Sequence, residues 1–259
     1  MLLCDMQVKL SAVIITFNEE INIERCILSL KETVDEILVV DSFSTDKTKE
    51  ICVKQGVRFI ENAFEGHIQQ KNFAKDQAKY QHVLSLDADE ALDDDLKKSI
   101  LAAKENWRYD AWKMNRLTNY CGKWIHHSGW YPDTKIRLFD RDKGIWGGKN
   151  PHDQFIPNKG VKIGFLKGDL LHYSFYDREQ HLKQIESFSS IAAKALYQEG
   201  IRSSWIKIII KPIARFIKAF LLRRGFLDGN SGYTIAKLSA YANYLKYVKL
   251  QKLQKGQTI

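Results

Sequence analysis

The chain has no run of 18 uncharged apolar residues, so no segment is expected to cross a bilayer as a helix. Met1 to Lys9 is too short and too polar for a secretory signal peptide, and none is expected. Its four cysteines, Cys4, Cys26, Cys52 and Cys121, are scattered without a CxxC pair. That argues against a disulfide framework or a zinc site and for a reducing cytosol. Cys26 and Cys52 lie within apolar patterns and read as small buried hydrophobes. Glycine-rich phosphate loops are missing too. Neither GxGxxG nor GxxxxGK[ST] occurs, which disfavours dinucleotide-binding and P-loop readings.

What is present is an ordinary globular composition. The 259 residues are 44% hydrophobic and 27% charged, enough for one large domain or one domain with an appendage. The net charge of +9 is uneven. Between Arg202 and Lys255 there are twelve Lys and Arg against one acid, Asp228, so the rest of the chain is slightly acidic. A tail this basic suggests an anionic surface as partner.

Taken in order, the chain alternates apolar runs with helical patterns. Leu10 to Thr16 reads as a first strand, and Asn18 as the cap of a helix carrying Ile23, Cys26, Ile27 and Leu30. Glu36 to Val40 and Val57 to Ile60 read as further strands, and a helix over Gln69 to Ala78 leads to a fourth at His82 to Leu86. This order argues for a parallel sheet with right-handed crossovers. Strands one, two and four end in Asn18-Glu19, Asp41 and Asp87-Ala88-Asp89, so these groups share one edge and one cleft. Each alone could be a turn or cap residue. Together, without a phosphate loop, they suggest a nucleotide held through carboxylates and a hard cation such as Mg²⁺ or Mn²⁺. Asp93 to Asp95, which follow, read as the acidic start of a helix.

Beyond Tyr109 the alternation fades. Ala111 to Leu117 and Lys135 to Phe139 alternate like half-exposed antiparallel strands, flanking an aromatic loop with Trp130 and Tyr131. Such a loop suits a sugar ring or simply packs. Ile145 to Asp153 reads as a second loop, in which Asp153 is either a general base positioned by His152 or a turn carboxylate. His172, at the end of Leu170-Leu171, is either a core-edge histidine or a third ligand beside Asp87 and Asp89. From Ser204 to Arg224 one kinked helix is expected. Lys207, Lys211, Arg215 and Lys218 form a narrow basic stripe on it, and most of the remaining girth is apolar. That pattern fits the acyl boundary of an anionic membrane, or packing on the domain or in a dimer.

The combination Ala12-Val13-Ile14-Ile15-Thr16-Phe17-Asn18-Glu19-Glu20, Val39-Val40-Asp41-Ser42-Phe43-Ser44-Thr45-Asp46-Lys47-Thr48, Gln70-Lys71-Asn72 and Leu86-Asp87-Ala88-Asp89-Glu90 resembles glycosyltransferase family 2. Trp130-Tyr131-Pro132-Asp133, Arg137-Leu138-Phe139, His152-Asp153 and Phe226-Leu227-Asp228-Gly229 resemble its branch of bacterial lipopolysaccharide core β-1,4-glucosyltransferases. The resemblance implies an α/β fold of GT-A type, a mostly parallel sheet flanked by helices. A basic amphipathic helical C-terminal extension would follow it. Residues 1–176 would be the catalytic domain and 177–259 the helical region.

It also implies a metal-dependent inverting transfer of a hexose from a UDP-sugar, UDP-glucose by resemblance, to a lipid-linked saccharide. The enzyme would work at the cytoplasmic face of a bacterial membrane, with no nucleic-acid partner. Thr16, Asn18 and Glu19 would line the base and ribose pocket, Asp41 would bond the base, and Lys71 would sit near the diphosphate. Asp87 and Asp89 match the DXD motif that holds the cation. Asp153 would be the base, and Trp130, Tyr131 and His152 would contact the acceptor. Two positions depart from the branch: His152-Asp153 stands where relatives carry His-Glu, and Phe43 replaces a glycine.

Two rivals are weaker. A nucleotidyltransferase would carry a basic glycine-rich loop near the first strand. A non-enzymatic membrane or nucleic-acid binding module leaves the strand-end carboxylates unexplained.

Overall fold

The computed structural model describes residues 7–149 and 152–259, the side chains of Lys149 and His152 excepted. The chain forms two compact units. One contains Met1–Arg116 and Asp133–Tyr173, the other Leu117–Pro132 and Ser174–Ile259.

The first unit is α/β. β1 (Leu10–Thr16), β2 (Glu36–Asp41), β3 (Arg58–Glu61) and β4 (His82–Asp87) run parallel in the order β3-β2-β1-β4. α1 (Ile23–Leu30), α2 (Thr48–Lys54) and α3 (His67–Gln77) connect them. Both sheet faces are covered, which is why these strands read as continuous apolar runs rather than alternating ones. Ile14, Leu84 and Leu86 pack with Ile23 and Ile27 of α1, while Val13, Val40 and Val83 pack with Ala74 of α3. The register sets Thr16 beside Asp41 and Ile15 beside Asp87, so three polar strand ends meet at one edge.

The sheet then turns antiparallel. β5 (Glu90–Leu92) follows a two-residue turn, and α4 (Asp94–Glu105) is capped by Asp93, whose carboxylate accepts from the Leu96 N–H at 2.7 Å. That is the helix-start role expected of the acidic run. β6 (Ala111–Tyr120), β7 (Lys123–Ile125), β8 (Asp133–Asp140) and β11 (Ile163–Phe175) complete the sheet; β8 pairs antiparallel with both β4 and β6. Asn18 does not cap α1. Its backbone takes a left-handed φ of 54°, and its side chain accepts from the Thr45 N–H at 2.8 Å, tying the loop after β1 to the loop after β2.

The stretch expected as a loop at 145–153 is instead a hairpin, β9 (Gly144–Lys149) against β10 (His152–Pro157). Its glycines permit close approach: a Cβ on Gly144 would lie 2.5 Å from the Ile156 carbonyl oxygen. The hairpin drives Trp146 and Phe155 into the core, where Phe155 stacks on Phe139 with centroids 3.8 Å apart.

Apart from β7 and the ends of β6 and β11, the second unit is helical: α5 (Arg178–Gln198), α6 (Trp205–Ile217) and α7 (Gly229–Gln254). The single helix expected to Arg224 stops earlier. After α6 comes one π-helical turn, Lys218–Leu222, and then a 3-10 turn. Arg224, at a left-handed φ of 53°, turns the backbone out of helical geometry. A Cβ on Gly232 would lie 1.8 Å from the Gly225 carbonyl oxygen, so backbone packs on backbone there. Buried Asp228 accepts from the N–H groups of His126 (3.3 Å) and His127 (3.0 Å) and contacts His127 Nδ1 at 3.0 Å. Asp228→Ala leaves those donors without their acceptor. An expected loss of about 1–3 kcal/mol would show as a thermal midpoint lower by roughly 3–10 °C.

Candidate active site

The polar edge of the first unit is built from three loops and one helix. The loops after β1 and β2 are laced together: the Asn18 N–H donates to Ser44 Oγ at 2.8 Å and the Glu19 N–H to Thr48 Oγ1 at 2.8 Å. Thr16 is buried, and its hydroxyl has no hydrogen-bond partner among the described residues. Asp41 is buried, and its carboxylate accepts from the Ser44 N–H at 2.7 Å. Phe43, where the family resemblance leads one to expect glycine, holds a left-handed φ of 62° and is 55% exposed. A non-glycine residue there is strained, which is the physical reason glycine suits the position.

α3 joins this edge to the core of the site through three consecutive residues, each pointing a different way. Gln70 is held by Asn62 (2.8 Å) and donates to Ser42 Oγ (3.1 Å). Asn72 clamps the Trp146 backbone, donating to its carbonyl at 2.9 Å and accepting from its N–H at 3.0 Å. Lys71 is only 2% exposed. Its ammonium lies 2.9 Å from Asp87 Oδ1 and 2.7 Å from Asp153 Oδ2. Asp153, opposite Gly148 in the hairpin, is thus brought to the strand-end acids by a buried cation.

Asp87 has a second partner. Arg137 of β8, 3% exposed, reaches Asp87 Oδ2 at 2.8 Å and Glu90 Oε1 at 2.8 Å. Glu90 also accepts from the Asp87 N–H at 3.0 Å. Arg116 extends the network to Asp133 at 2.7 Å. Burial would push the Asp87 carboxyl up, but Lys71 and Arg137 more than offset it and hold that group well below the usual carboxylate range. Lys71, Asp87, Arg116, Arg137, Trp146 and Asp153 line a cavity of about 400 Å³, a size suited to a small polar ligand.

Asp89 sits on the turn between β4 and β5, its Oδ2 3.1 Å from Nε2 of His172 on β11. Across the edge, burial raises Glu19 to about 7. The Asn22 hydrogen bond opposes that rise, and the charges of Asp89, Asp46 and Asp87 add to it. Among the described residues no three His, Cys, Asp or Glu side chains converge as a ready-made metal cage. Asp89 and His172 nonetheless offer an oxygen and a nitrogen donor side by side, next to carboxylates that repel one another. That donor pair fits a divalent cation of the Mg²⁺ or Mn²⁺ class.

Glu19 gives a pH test. Because its folded value lies above the ordinary carboxylate value, the native state keeps a proton that the unfolded chain has released, and stability falls as pH rises through 7. In chelator, wild type should therefore lose about 3–6 °C more of its thermal midpoint between pH 5.5 and 8 than Glu19→Gln does. Equal losses would remove the assignment.

Trp130 and Tyr131 belong to the second unit. Trp130 is partly buried, edge-on to Tyr120 with centroids 5.7 Å apart, and Tyr131 lies against His126 at 5.6 Å. His152 begins β10, and its side chain lies outside the described residues. Sequence reasoning missed Arg137, Glu90, Arg116 and Trp146. Reading β8 as half-exposed placed Arg137 in solvent, whereas it is buried between two acids. The available signal was the acid pair Asp87 and Glu90 at the end of a buried strand, which needs cations to neutralise it.

Residues 11–167 match the family model described as Glycosyl transferase family 2. An uncharacterized glycosyltransferase of Rickettsia typhi is 34% identical over 246 residues, covering 91% of this chain and 84% of its own. The lipopolysaccharide core biosynthesis glycosyltransferase LpsC of Rhizobium meliloti is 28% identical over 251 residues, covering 91% and 92%. A structure of residues 1–349 of S. aureus TarS in complex with UDP is similar at a TM-score of 0.47 and 16% identity, covering 96% of this chain and 92% of that one.

Proposed function

The chain belongs to glycosyltransferase family 2, and from that premise we propose that it is a metal-dependent inverting hexosyltransferase. It would move a hexose, glucose in the first instance, from a UDP-sugar to a hydroxyl of a lipid-linked saccharide such as lipopolysaccharide core. It would work at the cytoplasmic face of a bacterial membrane. The acceptor class is supported by the lipopolysaccharide core relative. The observation that carries the chemistry is the sharing of buried Lys71 by Asp153 and Asp87 in one cavity.

In this reading Asp153 is the general base. Lys71 engages Oδ2, leaving Oδ1 to take the acceptor proton. The acceptor oxygen forms its bond to the anomeric carbon as the bond from that carbon to the diphosphate breaks. UDP leaves with the electron pair and the proton rests on Asp153. A single displacement inverts the centre. Lys71 and Arg137 supply fixed positive charge beside the phosphates, with no reorganisation at the moment of reaction. Thr16, Asn18, Glu19 and Asp41 form the nucleoside side of the site. Asp89 and His172 would hold Mg²⁺ or Mn²⁺, with Asp87 behind them in the ion-pair network. When bound, the cation neutralises charge developing on the leaving diphosphate.

Calorimetric titration with UDP, with and without Mn²⁺, tests the nucleotide–cation site. Wild type should bind UDP more tightly with Mn²⁺, and Asp89→Ala should lose that gain, about tenfold or more in affinity, together with transfer activity. UDP binding that ignores both Mn²⁺ and the substitution would overturn the metal role.

A further inference from the structure

The second unit carries a surface that the chemistry of transfer does not use. α6 has three stripes. Phe216, together with Phe220 of the π-turn, meets Tyr233 of α7 edge-on, with centroids about 6 Å apart, so one stripe is packed. A second stripe lies open to solvent: Trp205, Ile206, Ile209, Ile213, Ile217 and Leu221 are all exposed, Trp205 by 68%. Helical spacing places these six on one side. The third stripe is cationic, formed by Lys207, Lys211, Arg215 and Lys218 along one flank.

This arrangement divides the two readings the sequence left open, since the helix both packs on its own unit and presents an unpartnered apolar face. An exposed apolar row of this length on a folded protein marks an interaction surface. The charge beside it identifies the occupant. The only acid between Arg202 and Lys255 is Asp228, which is buried against His127. Lys246 of α7 adds to the cationic flank. Burial first, with Arg215 and Lys211 close by, holds its ammonium below the usual range. Among the described residues no helix is long and apolar enough to cross a membrane. A protein partner would have to match an aliphatic strip with a dense anionic border. A bilayer containing anionic lipid supplies both, taking the Ile side chains below the headgroups while lysine stems reach up to phosphates.

We propose that α6 is an interfacial anchor that lies flat on an anionic bilayer, with Trp205, Ile206, Ile209, Ile213, Ile217 and Leu221 inserted and the Lys207–Lys218 stripe at the headgroups. The proposal rests on α6 and α7 alone, so it holds whatever sugar is moved.

Sedimentation of the full-length protein with vesicles, in the absence of nucleotide and acceptor, tests it. Vesicles of phosphatidylcholine with phosphatidylglycerol should pull the protein down, and phosphatidylcholine alone about tenfold less well. Ile209→Asp with Ile213→Asp should lower binding by about tenfold or more, as should Lys211→Glu with Arg215→Glu. A second readout needs no destabilising change: anionic vesicles should shift tryptophan emission to the blue, and Trp205→Phe should abolish most of the shift. Vesicle binding equal in wild type and the Ile209/Ile213 variant overturns the anchor. So does a wild-type dimer that the same variant turns into a monomer without altering vesicle binding, since the face would then cover a second copy.

Discussion

Asp153→Asn should lower kcat by about a hundredfold to ten-thousandfold, the range a positioned general base contributes, with little change in UDP-sugar affinity. Asn keeps the size of the side chain and its place opposite Gly148, but it cannot take a proton. Lys71 keeps Asp87 at 2.9 Å, so the donor side of the site retains its charge arrangement. A structural role for Asp153, as no more than the counter-ion of Lys71, predicts a different outcome: lower stability with kcat largely intact. Single-turnover rates together with UDP titration separate the two. Asp153→Glu adds a methylene and should recover much of the lost rate, because the carboxylate returns even though its reach changes.

Arg137→Met carries the largest expected effect on stability. Glu90 has a fully buried side chain, with Arg137 at 2.8 Å and Arg116 only at 3.5 Å. Met fills a similar volume but leaves Glu90 without its close cation, and Asp87 with Lys71 alone. Breaking a buried pair in this way costs about 3–5 kcal/mol. Chemical denaturation should show that loss as a lower midpoint with an unchanged slope, and UDP affinity should fall with it. Arg137→Met with Glu90→Gln should regain part of the stability, because the uncompensated buried charge is then gone. A double variant no more stable than the single one would show that packing of Arg137 over the Trp146 ring, rather than charge, is what the site needs.

Much of the first unit was legible in the sequence because its signals are local. β1, β2 and β4 are buried on both faces, so each reads as an unbroken apolar run wherever it is met. Asp41 and Asp87 lie at the strand ends where those runs stop. Asp93 could be read as a helix start from its neighbours alone, and the cap is there. The hairpin at 144–157 could not be read this way. Its glycines resemble a loop until Phe155 is seen stacked on Phe139. Asn18 misled for a related reason: it is a good cap residue by type, but a partner 27 positions away claims its side chain.

By itself the sequence determined the run of parallel strands, the sheet edge at which Thr16, Asp41 and Asp87 end them, and the basic, apolar character of α6. All of these follow from spacing along the chain. Tertiary structure alone decided which charges meet. Lys71 joins Asp153 across 82 positions, Arg137 joins Asp87 across 50, and the open face of α6 is whatever Tyr233 does not cover. The reason is electrostatic as much as topological. A buried carboxylate must find a cation, but nothing in its local sequence says from which strand or helix that cation will come.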